Sequence, residues 1–226
     1  MKSLNDRALG NVELIAEKIA IPEIAAPHSR ARLLALLEQS LTSCTATIIS
    51  GRAGTGKTAL ALDFARQCDR AVSWYKVDAP EGELERFFQY LIGSIQKERP
   101  NFGVETLMPL LRTADSEQIS MLAEAFVYEL VEGENQPLLI VIEDLHLIYD
   151  SEWLAPLLRP LLALLPSNVH MLITSRTMLP APLWRMRSKQ TLSFIAEEYL
   201  AFTRQEAIEL FESYALSVEH ATIALD

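Results

Sequence analysis

Short apolar runs alternate with longer stretches of helical periodicity along most of the chain. Continuous apolar strands are typical of a parallel sheet that is covered by helices on both faces. The predicted strands are Thr45–Ser50, Ala71–Val77, Leu138–Asp144, Val169–Arg176 and the less regular Gln190–Ile195. The predicted helices are Arg30–Leu41, Lys57–Cys68, Glu83–Lys97, Glu117–Val131 and Glu152–Leu165. This alternation predicts an α/β fold with a doubly wound, mostly parallel five-stranded sheet flanked by helices.

The pattern changes after the last predicted strand. From Leu200 onward the sequence reads as one amphipathic helix, and Thr203 and Glu206 have the T-x-x-E spacing of a capping box at its start. We expect this helix to be the first of a helical subdomain that continues outside the chain. The sequence therefore divides into an N-terminal extension (1–26), an α/β domain (27–199) and the start of the helical subdomain (200–226).

Composition excludes several classes of protein. The chain has 226 residues, of which 50% are hydrophobic and 22% charged, enough for one sizeable core. No apolar run approaches the roughly 18–20 residues of a membrane helix, and the charged N-terminus does not resemble a secretory signal. Only two cysteines occur, too few for a disulfide framework. We expect a cytoplasmic protein with no membrane partner.

A phosphate-binding loop is the strongest chemical signal in the sequence. The segment from Gly51 to Thr58 fits G-x-x-x-x-G-K-[ST], with a predicted strand before it and a helix after it. Glycines let successive N–H groups turn toward an anion, and the helix start adds partial positive charge. We expect ATP or ADP with Mg²⁺. The predicted binding residues are Gly51, Ala53, Gly54, Thr55, Gly56, Lys57, Thr58 and Ala59.

An acidic pair follows the predicted strand at Leu138. Two adjacent carboxylates near a phosphate loop indicate a shared cation, so Thr58, Glu143 and Asp144 are predicted to hold Mg²⁺, with Glu143 acting through water. Asp144 is the predicted base that orients the attacking water. The residue that coordinates Mg²⁺ is usually aspartate, so Glu143 is one methylene longer than usual, and Asp144 is one methylene shorter than a glutamate base would be. This order of glutamate and then aspartate favours slow hydrolysis.

A polar group also ends the fourth predicted strand, where Arg176 follows Thr174 and Ser175. A guanidinium has a fixed charge and forked donors, which suit a contact with a γ-phosphate or with the attacking water. Arg176 is therefore the third candidate catalytic residue.

The ordered set of motifs resembles the STAND ATPases, the signal-transduction ATPases with numerous domains, and within them the MalT-like branch. The resemblance runs from about Pro27 to Ser213. The segments that carry it are "GRAGTGKTAL", "WYKVDAPEGELERFFQYLIGSI", "LLIVIEDLHLI", "LITSRTMLPAPLWRMRSKQTL" and "LAFTRQEAIELF". Glu143 is a departure, since the family usually has aspartate there.

The resemblance implies roles for individual residues. Gly54, Gly56 and Lys57 would bind phosphate, Thr58 and Glu143 would bind Mg²⁺, Asp144 would activate water and Arg176 would sense the nucleotide. His28 and Arg30 align with a segment placed against the adenine.

The resemblance also implies a function. It implies a switch domain in a LuxR-type transcriptional regulator, with a resting ADP-bound monomer, an ATP-bound form that self-associates and slow hydrolysis that resets it. The net charge of −10 disfavours direct DNA binding, so DNA would be contacted only through domains outside this chain. Two alternatives stay open: a P-loop enzyme, either a small-molecule kinase or a faster ATPase, and a domain that binds nucleotide without hydrolysing it.

Overall fold

The computed structural model describes residues 14–23, 28–111, 118–132, 136–180, 183, 186 and 191–213. The predicted terminal segments are therefore covered only in part, and residues 1–13, 24–27 and 214–226 lie outside the described residues. Within the described ranges, no helix combines the length and the apolar character that a bilayer span requires.

The sheet contains five parallel strands, one from each predicted run. The strands are β1 (Ala46–Ser50), β2 (Ala71–Lys76), β3 (Leu138–Glu143), β4 (Val169–Ser175) and β5 (Leu192–Ile195). Their order is β2-β3-β4-β1-β5. Every residue of β1, β3 and β4 is buried, as continuous apolar runs predict. The α/β prediction of a doubly wound parallel sheet is confirmed.

The five predicted helices are present, with ends that differ from the prediction by at most two residues. They are α1 (Ala31–Ser43), α2 (Lys57–Gln67), α3 (Leu84–Ile95), α5 (Ile119–Glu132) and α6 (Leu154–Leu164). Sequence periodicity missed two short helices, α4 (Leu107–Leu111) and α7 (Glu197–Leu200). Helix periodicity needs several turns to become visible, and these segments are only one turn long.

Helix α8 (Arg204–Ser213) begins at the predicted capping box. The Thr203 N–H donates to Oε2 of Glu206 at 2.8 Å, and the Glu206 N–H donates to Oγ1 of Thr203 at 3.2 Å. The reciprocal pair satisfies two backbone donors at the start of the helix. The prediction of a helix start at this point is confirmed.

Alternate residues of the strands pack into two separate cores, one on each face of the sheet. Ile48, Ile140 and Ile173 lie in the larger core with α3, α5 and α6. The smaller core lies on the other face of the sheet. It contains residues from all five strands and from α1 and α2. Its buried strand members are Ile49, Trp74, Leu139, Val141, Leu172 and Ile195. This two-sided packing is what a period of two predicts for strands covered on both faces.

The strand order brings three strand ends together. Because β4 lies between β1 and β3, the register pairs Ser50 with Ser175 and Ile142 with Ile173. Parallel strands end at the same edge, so the phosphate loop after β1, the acidic pair at the end of β3 and Arg176 after β4 lie along one edge. This is the edge at which open α/β sheets bind ligands.

Candidate nucleotide-binding site

The phosphate loop joins β1 to α2 and uses its glycines for conformation. Gly54 and Gly56 have φ values of +83° and +82°, and a Cβ atom at either position would meet no atom within 4 Å. A larger side chain would therefore fit in the space at these two positions. Glycine is favoured there because the backbone is left-handed. Ala53 and Thr55 complete the turn, and Lys57, Thr58 and Ala59 form the first turn of α2.

Lys57 is held inside the loop. Its side chain is buried, and Nζ donates to the Arg52 carbonyl oxygen at 2.7 Å. The Thr55 hydroxyl donates to the same oxygen at 2.9 Å. Burial lowers the pKa of Lys57, while attraction from the Asp144 carboxylate opposes that shift. The Lys57 ammonium group is thus held by the neutral Arg52 carbonyl. Phosphate oxygens in the loop would compete with this carbonyl for the ammonium group, because they are charged acceptors.

Glu143 ends β3 with both carboxylate oxygens hydrogen-bonded. The Thr58 hydroxyl donates to Oε1 at 2.5 Å, and the Trp74 indole N–H donates to Oε2 at 3.3 Å. Thr58 and Glu143, which were both predicted to hold Mg²⁺, are therefore in direct contact. The bond to Trp74 was not predicted, although the tryptophan lies in one of the motifs that carry the family resemblance.

The oxygen atoms at this point fit Mg²⁺. A threonine hydroxyl and two carboxylates, from Thr58, Glu143 and Asp144, are hard oxygen donors beside the phosphate loop, and Mg²⁺ in nucleotide sites is held by one or two carboxylates and by phosphates. Among the described residues, no group of three or more His, Cys, Asp or Glu side chains is arranged to hold a metal ion. The donor set therefore suits an ion that is held largely by the nucleotide.

Asp144 has an unusual backbone. Its φ and ψ are 58° and 34°, a left-handed conformation that aspartate tolerates better than most residues, and its N–H donates to Oγ1 of Thr174 on β4 at 3.0 Å. Its Oδ1 lies 3.8 Å from Nδ1 of His146 and 3.9 Å from Nε of Arg176. Both distances are longer than a hydrogen bond. The Asp144 carboxylate therefore lies beside His146 and Arg176 without a hydrogen bond to either.

The three predicted catalytic residues are thus brought together at one strand edge, in different environments. Burial lowers the pKa of His146, and the attraction of Asp144 offsets this only in part. The lowered pKa favours the neutral imidazole beside Asp144. Arg176 is half exposed, with 52% of its side chain accessible.

His28 and Arg30, the candidates for the adenine side, contact the C-terminal part of the domain. Arg30 donates to the carbonyl oxygens of Leu200 at 2.8 Å and Ala201 at 2.9 Å, and to Oε2 of Glu206 at 3.0 Å. Nε2 of His28 lies 3.7 Å from a carboxylate oxygen of Glu209. These partners are more than 165 residues away in sequence, and no local pattern predicted them.

Glu206 is the centre of this contact. Burial alone would raise the pKa of its carboxyl, but hydrogen bonds from Arg30, from the Thr203 N–H and from Arg32 lower it to about 2. Arg32 donates to the same Oε2 at 3.2 Å. Two guanidinium groups of the N-terminal part therefore bind one carboxylate of α8.

Helix α7 lies directly on the start of the phosphate loop. The Arg52 N–H donates to Oε2 of Glu197 at 2.9 Å, and Nε of Arg52 donates to Oε1 at 2.6 Å. A Cβ atom at Gly51 would lie 3.1 Å from Cδ1 of Leu200, so this glycine permits the close approach. Sequence reasoning did not identify this contact of Glu197 with the loop, because an isolated glutamate carries no spacing signal.

The chain is similar in sequence to known proteins. The family model of the AAA ATPase domain matches residues 28–174, which include the phosphate loop and the acidic pair. The HTH-type transcriptional regulator MalT of Serratia proteamaculans is 31% identical over 188 residues, covering 83% of this chain and 20% of that protein. MalT of Klebsiella pneumoniae is 30% identical over 201 residues, covering 88% and 22%. The chain thus spans about a fifth of the length of these relatives.

Solved structures support the fold. The Walker-type ATPase PABY2304 of Pyrococcus abyssi aligns with a TM-score of 0.53 and 16% identity, over 88% of this chain and 63% of that one. The Aeropyrum pernix ORC1 protein, solved in complex with DNA, aligns with a TM-score of 0.51 and 17% identity, over 86% and 50%. Together with the family match and the resemblance to MalT, these findings show that the chain belongs to the AAA ATPase domain family, as a MalT-like P-loop ATPase domain.

Proposed function

We propose that the chain is the ATP- and ADP-binding switch domain of a MalT-like transcriptional regulator, and that it hydrolyses ATP slowly. The observation that carries this proposal is the direct contact between the phosphate loop and α7. Arg52 binds Glu197 through both its backbone N–H and its side chain. A nucleotide that reshapes the loop would therefore also act on the helices that follow β5.

The loop residues would bind the phosphates. Lys57 would exchange the Arg52 carbonyl for the β- and γ-phosphate oxygens, which offer a full negative charge in place of a partial one. Thr58 would hold Mg²⁺ directly and Glu143 through water; the bound ion would neutralise phosphate charge and orient the oxygens for in-line attack. His28 and Arg30 would lie on the adenine side.

Asp144 would orient the attacking water. Its flanked but loosely held carboxylate can accept a hydrogen bond from a water molecule near the γ-phosphate. Arg176 would turn to the γ-phosphate when ATP is bound and would lose that partner with ADP. Lys57 and Arg176 would thus make more phosphate contacts with ATP than with ADP.

A switch needs a large difference in affinity between its two conformations. Moving an equilibrium from 1:99 to 99:1 takes about 5.5 kcal/mol of differential affinity. The γ-phosphate contacts of Lys57 and Arg176 are the proposed source, and the loop contacts of α7 are the proposed route. Hydrolysis would then reset the switch on the slow scale of intrinsic GTPases, roughly 10⁻⁴ to 10⁻² s⁻¹.

The regulatory setting is proposed from the relatives, which are named as HTH-type transcriptional regulators. We infer a cytoplasmic protein whose ATP-bound form self-associates. An acidic domain of net charge −10 repels a polyanion, so DNA would be bound by parts of such a regulator other than this domain.

Binding without hydrolysis is the second candidate. The observation in its favour is that both oxygens of Glu143 already have hydrogen-bond donors, Thr58 and Trp74. If these bonds persist when nucleotide binds, Glu143 has less capacity to order the water shell of Mg²⁺. No comparable observation favours a kinase.

Calorimetric titration with ADP and with MgATP, with phosphate release followed in the same samples, tests the proposal. We expect binding of both nucleotides and a turnover far below 10 s⁻¹, which is about the median for enzymes. Turnover near that median would identify an enzyme instead of a switch, and binding with no phosphate release would favour the second candidate.

The role of Asp144 is tested by Asp144→Asn. We expect nucleotide affinity to change by less than about threefold and hydrolysis to fall at least about tenfold, because a positioned general base contributes roughly 10²–10⁴-fold. Asp69→Asn is the matched control, because Asp69 also has a positive φ of 47° and is exposed beyond the far end of α2. An unchanged rate in Asp144→Asn would remove this residue from the mechanism.

A further inference from the structure

A tryptophan side chain in the sheet is bonded to the carboxylate at the candidate metal position. Trp74 on β2 is 1% exposed and Glu143 on β3 is 5% exposed. The indole Nε1 of Trp74 lies 3.3 Å from Oε2 of Glu143. An indole N–H can only donate, and a buried one usually has an acceptor. A carboxylate is a stronger acceptor than the neutral carbonyl groups that fill this role elsewhere.

The geometry of the sheet makes this contact. Parallel pairing of β2 with β3 places Lys76 opposite Glu143 and Trp74 opposite Val141. Residues two apart on a strand point to the same face, so Trp74 and Glu143 are diagonal neighbours on the face that α2 covers. Diagonal pairs are within reach of long side chains, and both of these are long.

The second oxygen of Glu143 is bound from the other side. Thr58, on α2, donates to Oε1 at 2.5 Å. Donors from two different elements therefore fix the plane and the reach of the carboxylate. An aspartate at position 143 would be shorter by one carbon–carbon bond of about 1.5 Å, and its carboxylate would be withdrawn from at least one of these donors.

We propose that Trp74 is a positioning residue that sets the Glu143 carboxylate for the metal-bound nucleotide, and that it is the reason glutamate serves at this position. The inference rests on the proposed function, since it assumes that Glu143 holds Mg²⁺ through water. It adds a specific requirement: the indole N–H contributes to nucleotide affinity only when the metal ion is present and only when residue 143 is glutamate.

A double-mutant cycle tests that requirement. The affinity for ADP is measured by calorimetry with Mg²⁺ and with EDTA, for the wild type, Trp74→Phe, Glu143→Asp and the double variant. Phenylalanine keeps an aromatic six-membered ring but loses the pyrrole part of the indole, and with it the N–H. We expect Trp74→Phe to reduce the gain in affinity from Mg²⁺ by about tenfold to a hundredfold, the range of a hydrogen bond to a charged group. Its affinity in EDTA should match the wild type.

In the Glu143→Asp background, Trp74→Phe should change nothing further, because the shorter side chain no longer depends on the indole. Trp153→Phe is the matched control. Trp153 also donates a half-buried indole N–H, to the Gly82 carbonyl at 2.7 Å on the other side of the sheet, and its loss should leave the gain from Mg²⁺ unchanged.

A measurement on the wild type covers the case in which Trp74→Phe fails to fold. In ¹⁵N-labelled protein, the Trp74 indole N–H resonance should shift on addition of MgADP by clearly more than on addition of ADP with EDTA, whereas the Trp153 resonance should not move. Equal shifts of Trp74 in both conditions, or an equal loss of affinity with and without Mg²⁺ in Trp74→Phe, would overturn the positioning role. Absence of nucleotide binding by the wild type would overturn the proposed function, and this inference with it.

Discussion

The two sides of the phosphate loop are held in different ways. On the side of the candidate metal position, Glu143 is bonded to Thr58 and Trp74 in the buried interior of the sheet. On the opposite side, Arg52 is bonded to Glu197 in solvent, with 85% and 34% of the two side chains exposed. Strands and α2 form the first side, whereas the second requires helices from the end of the domain.

This difference shows which side can respond to a ligand. Buried hydrogen bonds between packed elements are costly to break without replacement. An exposed ion pair contributes only about 0–1 kcal/mol and is easily exchanged for water or for another anion. The hydrogen bonds of Glu143 are therefore the harder ones to rearrange. Under the proposed function, the side that faces α7 is the one from which a change in the loop would pass to the C-terminal helices.

The largest expected effect concerns Lys57, which lies between the two sides. Lys57→Ala should lower the affinity for ADP and MgATP at least about a hundredfold, because charge-assisted bonds to phosphate contribute roughly 3 kcal/mol and each 1.4 kcal/mol is tenfold. Calorimetry measures this change. The control is Lys76→Ala, which removes an exposed lysine at the end of β2. Micromolar affinity retained by Lys57→Ala would contradict the assignment of the phosphate loop.

A smaller effect is expected from acid on the C-terminal side. The pKa of Glu206 is about 2 in the folded protein and 4.5 for an ordinary glutamate. Because the folded value is depressed, its stabilisation is present above pH 4.5 and is lost as the pH falls toward 2. The free energy of unfolding should fall by about 2 kcal/mol from this group between pH 5 and pH 3.

Urea unfolding at steps of pH measures that contribution. Glu206→Gln should be less stable than the wild type at pH 5 and should show a smaller loss between pH 5 and pH 3. Glu212→Gln, which alters an exposed residue of the same helix, should keep the slope of the wild type. Equal slopes in the wild type and in Glu206→Gln would show that Arg30 and Arg32 do not stabilise this carboxylate.

The smallest effect concerns the exposed pair itself. Glu197→Gln removes a negative charge beside the loop and weakens its hold on Arg52. The affinity for ADP should rise by about twofold to fivefold, the range of an exposed ion pair. Glu198→Gln is the control, since it changes the same charge in the same turn of α7. A decrease in affinity in Glu197→Gln would mean that the contact supports the bound form of the loop.

Much of the candidate site was predictable because its signals are local. The spacing of Gly51, Gly56 and Lys57 and the acidic pair at Glu143 are read within a few residues, and the parallel sheet then brings them to one edge. The capping box at Thr203 was predicted for the same reason. Phosphate binding, catalysis by Asp144 and sensing by Arg176 stay predictions, since they concern a ligand.

Other features had no local signal. The position of β4 between β1 and β3 depends on how the strands pair, and the short helix α4 is too brief to show a period. The adenine-side role of Arg30, implied by the family resemblance, stays a prediction. Its observed partners lie at residues 200–206 and had no local signal. Contacts over such separations follow from packing and are invisible to a window of a few residues.

The sequence by itself determined the alternation of strands and helices, the left-handed glycines of the phosphate loop and the helix start at Thr203. Each of these depends on side-chain periodicity or backbone preference within one or two turns. Only the tertiary structure decided that Trp74 donates to Glu143 and that Glu197 binds the start of the loop. Those contacts join residues 69 and 145 positions apart, and they exist because strand order and helix packing close the distance between them.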